Sequence, residues 1–204
     1  MAKLCTEQEI DVICEDLNQE KVVGFPTETV YGLAILADSL PAFQALVQLK
    51  NRPITKPMTV MVDDKRKLSL FANINLQQQK IIDAFMPGPL TIILEAKKDL
   101  PSTMTLGQKN IGFRIPNHAL SLSILKKINK PLLVTSANVS SFPPLIKADE
   151  VYETFNQLSS LINVDSLGQN ASTVVDLTKE KPVLLRKGKI SLEEILKIWE
   201  SDER

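Results

Sequence analysis

Short apolar runs rich in β-branched residues alternate with segments of helical periodicity along the chain, and that alternation constrains its fold more than any other feature. Lys21–Phe25, Met58–Val62, Leu90–Leu94, Ile111–Ile115, Pro131–Thr135, Leu161–Asp165, Ser172–Leu177 and Val183–Arg186 read as strands. Between them the spacing predicts helices over about 7–18, 39–50, 63–72, 76–86, 120–128, 148–158 and 192–199. Thr6 with Glu9 and Ser191 with Glu194 have capping-box spacing, and Ser39 is placed to cap the second helix. Pro87-Gly88-Pro89 is a hard stop, and 97–110 reads as a polar loop broken by Pro101 and Gly107. The expected architecture is α/β: one domain over 1–204, with a core from about 5 to 198 and a mixed parallel and antiparallel sheet flanked by helices.

Lys plus Arg and Asp plus Glu both number 24, and a balanced charge argues against a broad, non-specific nucleic-acid binder. A local basic pocket stays open. Cys5 and Cys14 fit no zinc spacing and His118 is the one histidine, so no metal site from side chains is expected. His118 is expected to brace a loop. Met1-Ala2-Lys3-Leu4-Cys5 lacks a signal-peptide run and no apolar run is long enough to span a bilayer, which points to a cytoplasmic protein without a membrane partner. Walker, G-x-G-x-x-G and G-x-S-x-G motifs are missing from the sequence.

The chemistry gathers at strand ends. Gly24 to Leu33 carries Pro26, which takes the chain out of a sheet ladder. Beyond it, extended alternation puts Thr27, Thr29 and Tyr31 on one face, with Glu28 and Val30 on the other. Before Pro53 the backbone is pushed toward extension, which aims Lys50 and Arg52 to one side and leaves Arg52 exposed; a basic helix C-terminus explains the same pair. Arg114 inside an apolar run needs a carboxylate, from the protein or from a ligand. Ser136 and Asn138 follow a strand, as a site or as a plain turn. Lys50, Arg52, Arg114 and Arg186 with Thr29, Ser136, Asn138 and Ser172 suit a polyphosphate beside a small polar substrate. No nucleophile is paired with a base, so catalysis would be positioning and charge stabilisation. The residues alone take the argument to a nucleotide or polyanion site.

Six motifs in order resemble the YrdC/Sua5 family in its short, single-domain form: Pro26-Thr27-Glu28-Thr29-Val30-Tyr31-Gly32-Leu33, Lys50-x-Arg52-Pro53, Pro87-Gly88-Pro89-Leu90-Thr91, Gly112-Phe113-Arg114-x-Pro116-x-His118, Thr135-Ser136-Ala137-Asn138-x-Ser140 and Ser172-Thr173-Val174-Val175-Asp176. The resemblance implies a YrdC-like twisted mixed sheet around a large basic cavity, and no second C-terminal domain. It implies an enzyme that condenses L-threonine, bicarbonate and ATP to threonylcarbamoyl-AMP and pyrophosphate, for the tRNA adenosine next to the anticodon. A separate complex would complete the transfer, and direct tRNA contact stays open. By motif position, Thr29, Arg114, Ser136 and Ser172 would bind threonine, with Arg114 on its carboxylate. Lys50, Arg52, Lys56, Asn110, Asn138, Ile146 and Arg186 would lie along ATP, and Lys50, Arg52, Ser136 and Asn138 form the catalytic set. Mg2+ would accompany ATP. Met61 stands where long-form members tend to have histidine, and Ser141 where a glycine usually follows. The alternatives are a double-stranded RNA or tRNA-binding module and a catalytically inactive paralogue.

Overall fold

The computed structural model describes residues 1–201; the last three residues of the expected domain, 202–204, lie outside it. In chain order the elements are β1 (Lys3–Cys5), α1 (Ile10–Asn18), β2 (Val23–Phe25), β3 (Gly32–Leu36), α2 (Leu40–Leu49), β4 (Thr59–Met61), α3 (Lys65–Phe71), α4 (Leu76–Phe85), β5 (Leu90–Glu95), α5 (Ser102–Thr105), β6 (Asn110–Arg114), α6 (Ala119–Ile128), β7 (Leu132–Ser136), α7 (Ala148–Thr154), β8 (Ser160–Ile162), β9 (Thr173–Asp176), β10 (Val183–Arg186) and α8 (Leu192–Trp199). The strands form one sheet in the order β1-β8-β2-β3-β7-β4-β6-β5-β9-β10. Pairings are mixed: β4–β6 and β5–β9 are parallel, β4–β7 and β5–β6 antiparallel.

Local chemistry sets several boundaries. Ser39 accepts from Ala42 N–H at the start of α2, and Ser191 with Glu194 forms the expected capping box on α8. Thr6 does bond to Glu9, through both its N–H and its hydroxyl. The helix nevertheless starts at Ile10, because Glu9 itself is the cap residue. Asn75 and Gln78 add a capping box on α4 that the apolar spacing did not reveal. α7 stops at Thr154, short of 158, and α5 puts one helical turn inside the expected loop 97–110. β1 and β3 were not anticipated. β3 is buried at all five residues, so it has no apolar/polar alternation to betray it.

The two faces of the sheet are covered unequally, and this creates the site. On one face α2, α4 and α8 pack against Leu33 and Ile35 of β3, Val60 of β4, Ile92 of β5, Ile111 and Phe113 of β6, and Val175 of β9. On the other, α1 and α6 pack through Ile13, Leu17, Ile124 and Leu125 against β2, β3 and β7. That second helical layer ends near β4. The face of β4, β6, β5, β9 and β10 beyond it is bare, and the outward residues of those strands become a floor.

Candidate active site

The bare face holds a cleft of about 500 Å³. Strand alternation selects its floor: Thr59 and Met61 on β4, Asn110, Gly112 and Arg114 on β6, Thr91 and Ile93 on β5, and Val174 and Asp176 on β9. Register arranges these in rows. Met61 pairs with Arg114, and Thr91 with Val174; one step along, Thr59 pairs with Gly112, Gly112 with Ile93, and Ile93 with Asp176. Gly112 leaves a bare patch at the centre. Its nearest obstacles to an added Cβ are the Ile93 and Thr91 side chains at 3.2 and 3.3 Å. The rim comes from Arg52 and Lys56, from Ser136, Asn138, Ser140 and Ser141, and from Ser172 and Arg186. Among the described residues Arg52, Lys56, Arg114 and Arg186 are the cations of this lining, and Asp176 is its one carboxylate.

Arg114 is 5 % exposed and finds its carboxylate within the protein. Its Nη2 lies 2.9 Å from Glu28 Oε1 and donates to Thr29 Oγ1 at 2.9 Å. Glu28 also accepts from Asn117 N–H at 3.0 Å, so one carboxylate ties the loop after β6 to the arginine. The stretch 27–31 is not the extended run that alternation predicts. Thr27 Oγ1 accepts from Thr29 N–H, donates to Val30 O and lies 2.9 Å from Thr29 Oγ1, which folds the chain into a tight hydroxyl-stapled loop. Gly168 presses on that loop, and a Cβ there would stand 2.5 Å from Glu28 O. Thr29 is therefore buried behind the cleft wall and reaches it through Arg114. Arg114 Nε and Glu28 Oε2 are buried with no partner among the described residues, so hydrogen-bonding capacity remains at this corner.

The Lys50–Arg52 geometry departs from expectation. Asn51 adopts a left-handed φ of 48°, so the segment turns instead of extending. Lys50 caps α2 and is 1 % exposed. Its ammonium donates to Ser136 O, to Asn138 O at 2.8 Å and to Asn138 Oδ1 at 3.2 Å, while its own carbonyl accepts from Ser140 N–H. A lysine has three donors, and all three are taken. Burial, then the Arg52 and Lys56 cations, pull its pKa down to about 7. Arg52 is half-buried, not exposed. Its guanidinium donates to Lys56 O at 3.3 Å and Pro57 O at 2.7 Å, which closes the loop carrying Lys56, and burial lowers its pKa. The two cations point to different places: Arg52 lines the cleft, and Lys50 lies under the Ser136–Asn138 turn.

At the opposite wall Arg186 Nε donates to Ser172 O at 2.9 Å, and Nη2 to Ser172 Oγ at 3.1 Å. Ser172 Oγ in turn lies 2.9 Å from Thr91 Oγ1. Burial, then the Arg114 cation, lower the Arg186 pKa, so these two guanidiniums share one neighbourhood. Ser136 Oγ donates to Asn138 Oδ1 at 2.6 Å, and Asn138 Nδ2 holds Val139 O and Phe142 O. Asn110 lines the cleft and donates to Thr178 Oγ1. Ile146 does not line it; its carbonyl accepts from Ser166 N–H. Sequence reasoning assigned nothing to Glu28, Thr91 or Asp176. Glu28 was the discoverable one, since Arg114 required a carboxylate and Glu28 sits among the threonines.

Ser141, on the rim, holds a φ of 74°. A side chain in that region is strained by about 1–2 kcal/mol, partly offset in glycine by its freer unfolded chain. Ser141→Gly should raise the urea midpoint by the equivalent of up to about 1 kcal/mol. A lowered midpoint would show that the serine hydroxyl holds the loop.

The chain resembles known proteins over this whole architecture. A family model described as telomere recombination, Sua5_yciO_yrdC, matches residues 15–188. The threonylcarbamoyl-AMP synthase of Pyrococcus abyssi is 33% identical over 94% of this chain and 57% of that protein, and the Bacillus subtilis one 33% over 88% and 53%. The chain thus spans little more than half the length of these curated relatives. The crystal structure of P. abyssi Sua5 complexed with L-threonine superposes with a TM-score of 0.87 at 32% identity, covering 97% of this chain and 59% of that one. On the family match and on these identities, the chain belongs to the Sua5/YciO/YrdC family.

Proposed function

We propose that the protein is a threonylcarbamoyl-AMP synthase: it condenses L-threonine, bicarbonate and ATP to threonylcarbamoyl-AMP and pyrophosphate. The observation that carries this reading is the convergence of Arg52, Lys56, Arg114 and Arg186 on one cleft beside the Ser136, Ser172 and Thr91 hydroxyls. Cations that crowd a cleft, with a single carboxylate among them, are suited to a polyanion. A structural relative of similar fold is described as complexed with L-threonine.

In this reading the threonine nitrogen forms a bond to the bicarbonate carbon, a C–O bond breaks, and the lost oxygen leaves as water with a proton from the amine. The new carboxylate oxygen then attacks the α-phosphorus of ATP. The bond from that phosphorus to the bridging oxygen breaks, and pyrophosphate leaves with the electron pair. Arg114 binds the amino acid's carboxylate, with Thr29 and Glu28 fixing the guanidinium. Ser136 and Ser172 orient threonine, Arg186 stands over the reacting phosphate, and Arg52, Lys56, Asn110 and Asn138 follow the nucleotide. Lys50 sets the turn that carries Ser136 and Asn138. Ile146 is left as a neighbour of the site through its loop. The contribution to rate is positioning and charge, without a covalent intermediate.

Among the described residues no group of three or more His, Cys, Asp or Glu side chains could cage a metal. Magnesium keeps several of its waters and binds substrate phosphates, so it would arrive on the nucleotide and offset phosphate charge there. The chain is read as one domain, because a single sheet takes strands from Lys3 to Arg186. No helix among the described residues is long and apolar enough to cross a membrane. A cytoplasmic location, a downstream complex that moves the threonylcarbamoyl group to tRNA, and any direct tRNA contact belong to the same proposal.

The test is pyrophosphate release from Mg-ATP in bicarbonate, with threonine, with serine and with neither. Release is expected with bicarbonate and threonine, at a much lower rate with serine, and not when bicarbonate or both amino acids are left out. No threonine-dependent release from folded protein would sink the reading and leave the RNA-binding or inactive-paralogue alternative, for which salt-dependent RNA titration is the next measurement.

A further inference from the structure

We propose that Asp176 accepts a hydrogen bond from a ribose hydroxyl of the bound nucleotide and so selects ribonucleotides over deoxyribonucleotides. The inference rests on the nucleotide reading of the cleft. Among the described residues Asp176 is the one carboxylate of the cleft lining, half-buried at the end of β9. A carboxylate repels phosphate, so its end of the floor suits the uncharged part of the nucleotide. Ribose hydroxyls are donors that an acceptor-only carboxylate recognises.

The side chain is held for this. Asp176 Oδ1 accepts from Thr178 N–H at 2.9 Å and from Thr178 Oγ1 at 2.6 Å. The second oxygen makes no hydrogen bond within the protein among the described residues. Thr178 Oγ1 also accepts from Asn110 Nδ2, which joins the carboxylate to the amide expected beside ATP.

Position supports the same assignment. From Arg114, Asp176 lies two strands across, through β5, and two residues along. With strands ~4.8 Å apart and ~3.3 Å per residue, that is roughly 12 Å. An amino acid held by its carboxylate on Arg114, joined through a carbonyl and a phosphate to a ribose, extends over about that length. Arg186, on the edge strand β10, pairs with Val174 and turns its guanidinium back onto Ser172, four residues before Asp176, so this cation stays away from the Asp176 end of the floor. Arg52 and Lys56 lie at the β4 side, where the leaving pyrophosphate would run away from Asp176.

Calorimetric binding of Mg-ATP, 2′-deoxy-ATP and 3′-deoxy-ATP tests this without requiring turnover. In the wild-type protein at least one deoxy analogue should bind about tenfold more weakly than ATP, less than a fully buried hydroxyl site would give. In Asp176→Ala no polar side chain is left to meet a ribose hydroxyl, whereas an amide at this position would still donate to the hydroxyl oxygen. The discrimination should fall to within about twofold, with the deoxy analogue bound at least as tightly as before. Unchanged discrimination in the variant overturns the proposal. So does retained discrimination with a raised magnesium requirement, which would make Asp176 a metal ligand. Failure of the wild type to bind ATP at all would remove both this assignment and the synthase reading. ATP binding without threonine-dependent pyrophosphate release would remove the synthase reading alone, with the ribose test still decisive.

Discussion

Arg114→Ala should destabilise the protein by on the order of 3 kcal/mol and, by a separate route, raise the threonine requirement about 100-fold. The stability loss comes from Glu28. Its side chain is 12% exposed, and without the guanidinium it keeps Asn117 N–H as its remaining partner. A buried charge stripped of its counter-charge is the expensive case, more so than removing both partners together. Arg114→Ala combined with Glu28→Gln should therefore regain most of the urea-unfolding free energy. It should regain none of the threonine affinity, because the cation that meets the substrate carboxylate is still missing. The ATP requirement should change by no more than a few-fold in both variants. An equal loss for ATP would place Arg114 on the nucleotide, and recovery of threonine use in the double variant would mean that Arg114 acts only by neutralising Glu28.

The same arginine shows what was legible in the sequence. A cation inside Ile111–Ile115 announces itself, because apolar neighbours on both sides imply burial and burial demands a partner. The strands carrying the floor, β4, β5, β6 and β9, were readable from β-branched runs, and their alternation selects the residues that face the cleft. Which strand lies beside which was not readable. Arg114 meets Glu28 and Thr29 across more than eighty positions of chain, and no local pattern encodes that contact. The loop 27–31 misled for a nearer reason: hydroxyls bonding to backbone groups compete with extended structure, and Thr27 folds the segment on itself. At Lys50–Arg52 the pre-proline preference bears on Arg52, and the turn comes one residue earlier, at Asn51, a residue that tolerates the left-handed region. β3 was missed because a strand buried on both faces carries no period-two signal.

Lys50→Met should lower the turnover number about 100-fold while leaving nucleotide affinity within a few-fold of wild type. The argument is the count of donors. All three protons of the ammonium go to Ser136 and Asn138 oxygens, so Lys50 acts by shaping the turn that presents those side chains, and a shift of about 1 Å there is enough for such a loss. A phosphate-binding lysine would show the reverse pattern: weakened ATP binding with the turn intact. The pH dependence of stability gives an independent check. Burial first, then Arg52 and Lys56, set the folded pKa of Lys50 at about 7, below the ordinary value of 10.5. Between those values the unfolded chain binds more protons than the folded one, so stability rises with pH across that window. The penalty of keeping the charge buried is complete below about pH 7 and gone above 10.5. Wild type should thus gain on Lys50→Met as urea unfolding is repeated from pH 7 to pH 10. A constant difference would mean that the three oxygens hold the ammonium charged as well as water does, and the turn would then stay stapled at every pH in that range.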